Sequence, residues 1–347
     1  MSTVGTARTR VRNAAGTGSS AHRYENGQNT SPATRALLRE IESGGLDIPL
    51  PGSGDTWLRW QTLIRLGIED LSLARLAEGH VDALAILAEL GDPPPSRSAV
   101  WGVWAAHPPG YRLRARPLDT GWVLEGSKPF CSGARTCTRA LVSAEPDSGE
   151  RLLFTIENKH TIADPGTWAA AGMSDSETCT VDFRNVRAVR VGAPNAYTDR
   201  PGFHHGGAGV AACWYGGALA VAEPLAAKAR RQGTDPHTLA HFGAVVRDLR
   251  CAEDVLRRAA REIDEDPDDA EGRAAERALL VRSAVVSSCT SVLQHCAEAL
   301  GAGPLASDPA YTRAAQDLSV YIRQHHGDRD LARLGESAAH EHGRDRS

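Results

Sequence analysis

Ten residues near the end of the chain, Tyr321-Ile322-Arg323-Gln324-His325-His326-Gly327-Asp328-Arg329-Asp330, bring together two imidazoles and two carboxylates. Such a set can ligate a metal, move a proton, or pair with itself on a surface helix. His325 follows Leu318 by seven residues, Tyr321 by four and Ile322 by three, which on a helix turns it inward with their apolar face. An inward imidazole can exchange protons near neutral pH. Neighbouring His325 and His326 diverge by about 100° on a helix, and Gly327 interrupts the pair His326 and Asp330, so no metal site is expected. Asp328 and Asp330 read as solvated or paired with Arg329 and Arg333. His325 is the catalytic candidate, and His204-His205 are expected in a surface loop.

The rest of the composition narrows the field. Seven cysteines, none in a C-x-x-C, are scattered through apolar segments, which predicts reduced, mostly buried thiols and a cytoplasmic protein. Cys289 and Cys296 share one helical face and read as core packing. A formal net charge of −4 offers no basic footprint for nucleic acid. No continuous apolar run reaches ~18 residues, so no membrane partner is expected. The first thirty or so residues, rich in Gly, Ser, Thr and Asn and lacking an apolar stretch, read as a disordered lead-in and not a secretory signal.

Three zones of differing period organise the remainder into an α+β fold: an N-terminal helical domain, a middle β-domain and a C-terminal antiparallel four-helix bundle. After the tail (1–30), residues 31–98 repeat apolar positions at three- and four-residue steps. Ser31 is the expected N-cap and Pro32 the first helical residue, and the run stops at "GDPPPS". Residues 99–195 alternate instead. Tyr111, Leu113 and Ala115 oppose Arg112, Arg114 and Arg116 before a turn at Asp119-Thr120-Gly121, a hairpin in a barrel-like β-domain. Residues 196–347 return to four long amphipathic helices, the first beginning near Gly206, with Gly301 closing the third. No βαβ alternation and no G-x-G-x-x-G occur, which excludes a Rossmann domain.

Helices, then strands, then a helical bundle is the layout of the acyl-CoA dehydrogenase superfamily, and four segments over residues 31–335 resemble its motifs in order. "LARLAEGHVDALAIL" is similar to a helix of the family's N-terminal domain. "LEGSKPFCSGARTCTRALVSA" resembles the Leu-x-Gly-x-Lys-x-Trp-Ile-Thr passage. "GMSDSETCTVDFRNVRAVRVG" resembles the segment that closes the β-domain, and "EALGAGPL" with "RAAQDLSVYIRQHHGD" resembles the last loop and helix.

The resemblance implies a flavin between the β-domain and the bundle: FAD, or FMN if the protein is a monooxygenase. Carried over by position, the flavin contacts would be Val103 and Trp104 in the first β segment and Phe130, Cys131 and Ser132 in the second. It further implies an acyl-CoA substrate oxidised at a CH–CH bond, a homodimer or homotetramer, and an electron-transfer flavoprotein or flavin reductase as partner. Three features depart from the dehydrogenase pattern. Trp104 replaces a threonine, Leu239 stands where an arginine is usual, and His325 occupies the place of a catalytic glutamate. Glu223 is a second candidate for the missing base, and Arg247 or Arg250 for a phosphate contact, each with surface ion pairing as its alternative. These departures keep two further readings open: a reduced-flavin monooxygenase in which a histidine serves oxygen chemistry, and a catalytically degenerate subunit or scaffold.

Overall fold

The computed structural model describes residues 30–92 and 99–344. The expected lead-in, apart from Thr30, and the proline run after Asp92 lie outside the described residues. Three helices come first: α1 (Pro32–Glu42), α2 (Thr56–Glu69) and α3 (Leu71–Glu89). The Ser31 hydroxyl accepts the Thr34 N–H at 3.1 Å, and Asp70 accepts the Leu73 N–H at 2.9 Å, so each helix start has a side-chain partner for an otherwise orphaned donor.

Seven strands follow: β1 (Trp101–Trp104), β2 (Leu113–Pro117), β3 (Trp122–Cys131), β4 (Arg139–Ala144), β5 (Leu152–Glu157), β6 (Ile162–Asp164) and β7 (Cys179–Val191). They hydrogen-bond in the order β1-β4-β5-β7-β3-β2, with β6 also on β7. The sheet then curls on itself. Glu145, just past β4, donates its N–H to Leu113 O and accepts from Ala115 N, both at 3.0 Å, so β2 rejoins β4. That closure makes the domain barrel-like and buries its inner residues, Leu124, Val142, Phe154, Val181 and Phe183 among them, in one hydrophobic core continuous with that of the helices. The β2–β3 hairpin turns at Gly121, whose φ of +86° suits glycine.

The bundle consists of α5 (Pro201–Ala229), α6 (Pro236–Glu265), α7 (Ala274–Leu300) and α9 (Pro309–Tyr321), with short α4 (Ala196–Asp199) before it and α8 (Ala302–Ser307) and α10 (Asp328–Arg344) around its end. By length and composition α5 could cross a membrane, yet 67% of its most apolar stretch is buried inside the fold. It is apolar on every side because it packs against α2, α3, α6, α7 and α9 at once. Glycines permit the closest crossing: a Cβ built on Gly216 would stand 2.4 Å from Ile64 O, and one on Gly67 2.6 Å from Cys213 O. Around that contact Trp60, Leu63 and Leu66 are buried, each stabilising the fold by about 1.5–3 kcal/mol.

Two expectations are corrected. The His204-His205 pair is not in a loop, because α5 starts at Pro201, where a missing N–H costs nothing. The last bundle helix does not run through His325. It ends at Tyr321, a 3-10 turn covers Ile322–Gln324, and His325 is extended (φ −78°, ψ 132°) before Gly327 turns at φ +57° into α10.

Candidate active site

Where the barrel meets the bundle lies a cavity of about 770 Å³, within the ~300–1,000 Å³ usual for small-molecule sites. The barrel wall carries Val103, Phe130, Ser132, Met173 and Thr178, the helical wall Gly206, Gly207, Val210, Ala278 and Leu279, and α3 contributes Arg75, Glu78 and Asp82.

Of the five flavin-contact candidates, Val103, Phe130 and Ser132 line this cavity, while Trp104 and Cys131 do not. Successive strand residues face opposite sides. Trp104 therefore points into the barrel, edge-on to Phe183 at 6.4 Å, and its Nε1–H donates to Ser132 O at 2.9 Å. Cys131 is fully buried, its thiol donating to Lys128 O, and burial pushes its pKa well up, so it is no nucleophile. A break in the β3–β7 register between Lys128 and Cys131 lifts Phe130 out of the ladder at φ +60°. That leaves a large aromatic ring 55% exposed at the cavity wall in a left-handed conformation that a bulky residue rarely adopts. The Ser132 hydroxyl accepts from Thr178 Oγ1 at 2.9 Å, which orients it.

Opposite the barrel, the two histidines separate. His325 is buried with both ring nitrogens engaged. Its Nδ1 accepts the Gly327 N–H at 3.1 Å, so Nε2 carries the proton and lies 2.9 Å from Ser283 Oγ. Burial lowers its pKa. His325 thus ties the turn to α7, and it does not line the cavity. His326 does. Its Nδ1 is 3.4 Å from Asp330 Oδ2, and its backbone N–H donates to the same oxygen at 3.1 Å. Asp330 is buried and its partners are His325 and His326, so it is neither solvated nor paired with Arg329 or Arg333, the two expected alternatives. Burial alone would raise its pKa, but the His326 N–H, both imidazoles and Arg282 together hold it below the usual carboxylate value. Arg282 locks the turn from the other side, donating to Gln324 O at 2.8 Å and to Gly207 O at 2.9 Å. The arrangement resembles a base and its orienting carboxylate, with Nε2 of His326 left uncommitted. The signal that could have found it was Gly327: a glycine closing a helical run marks a left-handed stop, and the residues just before it leave helical geometry.

Several buried donors at the cavity have no hydrogen-bond partner: Arg75 Nε, Arg151 Nε, Arg200 Nε and the Tyr321 hydroxyl, beside which lies only the Cys213 thiol. An unmet buried donor costs about 1–3 kcal/mol, so such donors on residues around the cavity suit a ligand rich in acceptor oxygens. Burial works against the charge on Arg75, but its pair Glu78, together with Tyr321, Cys213 and Asp82, raises the pKa and keeps the guanidinium charged. The remaining candidates sit elsewhere. Glu223 pairs with Arg230 at 2.6 Å and Arg247 with Asp248 at 2.7 Å, all off the cavity, and Arg250 is exposed.

No family model matches the chain. It is similar over 102 residues, at 33% identity, to a dibenzothiophene monooxygenase of Rhodococcus erythropolis, a match covering 26% of this chain and 24% of that protein. The match therefore spans about a quarter of such a relative's length. Among solved structures, the nitrososynthase of Micromonospora carbonacea var. africana superposes with a TM-score of 0.75 at 18% identity, over 89% of this chain and 90% of that one. TdsC of Paenibacillus sp. A11-2, a dibenzothiophene monooxygenase solved in complex with FMN and indole, gives 0.71 at 21% identity, over 86% of each chain. This is the acyl-CoA dehydrogenase fold. In that fold the departures noted from the sequence acquire places. His325, which the resemblance alone set at the glutamate's place, lies in the turn after α9, and Trp104 is buried in the core.

Proposed function

We propose that the chain is a monooxygenase that works with reduced flavin, FMN in preference to FAD, and oxygenates a small, largely apolar substrate at a sulfur or nitrogen atom. The observation that carries this reading is a cavity lined by the His326–Asp330 pair, the exposed ring of Phe130 and arginines with unmatched donors. Its support from similarity is that the comparable structures include a dibenzothiophene monooxygenase with FMN bound and a nitrososynthase. The dehydrogenase expectation, with acyl-CoA as substrate, ranks second because the turn offers imidazoles where that reaction uses a carboxylate base.

A reduced flavin, when bound, supplies the electrons that activate dioxygen. Phe130 and Ser132 would face its ring, and Arg75, Arg151 and Arg200 would take its phosphate and carbonyl oxygens. Val103, Met173, Val210 and Leu279 would exclude water from the same space. Asp330 holds His326 through Nδ1, so that Nε2 can keep a proton or release it toward the reacting oxygen. Part of the proposal is a separate flavin reductase and a homodimer or homotetramer.

The test supplies FMN and a reductase with indole or dibenzothiophene under ¹⁸O₂. Oxygen consumption coupled to ¹⁸O in the organic product is the expected result. Anaerobic bleaching of a bound oxidised flavin by an acyl-CoA, with no ¹⁸O incorporation, would return the dehydrogenase reading to first place.

A further inference from the structure

A second constellation lies on the bundle, and none of its members lines the cavity. His241 is in the second turn of α6, and His295 and Glu298 are one turn apart near the end of α7. The two imidazoles turn their Nδ1 atoms toward each other at 3.0 Å. Glu298 Oε2 stands 3.6 Å from His241 Nδ1, and all the potential ligand atoms lie within 4.8 Å of one another. Among the described residues no other group of His, Cys, Asp or Glu side chains converges in this way. The carboxylate is already aimed: its other oxygen, Oε1, accepts from Gln294 Nε2 at 2.9 Å, which leaves Oε2 to the cluster. On α6 the Asp248 carboxylate lies beside His295 and adds negative charge to the surroundings.

We propose that His241, His295 and Glu298 bind one divalent transition ion of the zinc class, with water completing the coordination. The donor set selects the ion. Two imidazoles and one carboxylate suit zinc, cobalt, nickel or copper, whereas magnesium and calcium require oxygen ligands. The spacing also fits. With metal–nitrogen bonds of about 2.05 Å, nitrogens 3.0 Å apart subtend about 95° at an ion, and about 0.3 Å of further separation gives the tetrahedral angle. Residues on two packed helices hold this geometry before the ion arrives, as metal-binding residues on facing bundle helices do elsewhere. Bound there, the ion fastens the start of α6 to the end of α7. That makes it a structural clasp independent of any flavin chemistry.

The test uses the full chain freed of metal. Calorimetric titration with Zn²⁺ is expected to give one equivalent per chain, and Co²⁺ in its place to give the visible absorption of a low-coordinate site. His241→Ala and His295→Ala should each weaken binding at least tenfold, and Glu298→Gln less, with each variant's metal-free melt confirming that it is folded. If an alanine variant does not fold, the corresponding glutamine variant takes its place. Saturating Zn²⁺, at a hundredfold excess over its dissociation constant, should raise the melting temperature of the parent protein by about 3–6 °C and leave the His241→Ala/His295→Ala double variant unmoved. Equal affinity and stoichiometry in the double variant, or no binding to the parent at micromolar Zn²⁺, would overturn the assignment.

Discussion

Gly216→Ala is the sharpest test of how the core is assembled, because two effects of opposite sign meet there. In an ordinary helix the change favours folding by up to about 1 kcal/mol, since alanine forms helix more readily than glycine. Here the new methyl would lie 2.4 Å from Ile64 O and 3.0 Å from Gly67 Cα, whereas ordinary contact begins at 3.4 Å. Both obstacles are backbone, so α2 and α5 must part by roughly 1 Å, and a gap of that size forfeits about a quarter to half of the attraction between facing atoms. Overpacking of this kind costs about 1–3 kcal/mol, and the loosening of Trp60, Leu63 and Leu66 adds to it. The net expectation is a loss of about 2–4 kcal/mol. Gly207→Ala supplies the control on the same helix: nothing lies within 4 Å of its added Cβ, so it should be neutral or slightly stabilising. Urea unfolding followed by circular dichroism measures both. Midpoints that move together, in either direction, would refute the claim that backbone contact at Gly216 decides the sign.

The remaining predictions concern charge. Burial lowers the pKa of His80 to about 4, and its Nδ1 accepts the Trp101 N–H at 3.2 Å. A base with a depressed folded-state pKa contributes stability above its unfolded value of 6.5, and that contribution is lost as pH falls toward 4. Acid unfolding of the parent between those limits should exceed that of His80→Gln by about 3 kcal/mol, and equal acid sensitivity of the two proteins would count against it. Asp330→Asn removes the charge that orients His326. Under the proposed function it should lower oxygenation by about 10²–10⁴-fold while flavin binding is retained, and unchanged turnover in a stopped-flow assay would exclude that role.

Much of this architecture could be read in advance, for reasons visible in individual residues. Period and punctuation predict the helices of the first and last thirds and the hairpin around Gly121. Ser31 and Gly301 behave at the ends of α1 and α7 as their neighbours in sequence imply. The start of α5 was less legible, because Gly206-Gly207 look like loop residues. The packing of the rest of α5 against five helices carries the helix through these two partly buried glycines, and Pro201 was the better marker of its start. At the cavity, carrying over consecutive residues assigned Val103 with Trp104 and Phe130 with Cys131, although a strand can present only one of each neighbouring pair to a given side. The pairing of Asp330 with His326 depends on the left-handed turn at Gly327. Helical facing from Leu318 and Tyr321 placed His325 inward, where it is buried. The helix ends at Tyr321, however, so that facing could not show that His326, of the two, lines the cavity. His241 and the His295–Glu298 pair are 54 residues apart in sequence, and nothing local in either segment announces the other.

The central position of α5 has a bearing on biosynthesis. Its partners α2 and α3 precede it, but α6, α7 and α9 follow, the last ending at Tyr321. At about 5–20 residues per second, the ribosome needs several seconds after finishing α5 to deliver the helices that cover it. Throughout that interval an apolar rod capable of inserting into a lipid bilayer stands half-clothed. Until those helices arrive, the apolar faces of α5 that they will cover are open to water and to other chains, so the exposure that favours aggregation is greatest during synthesis.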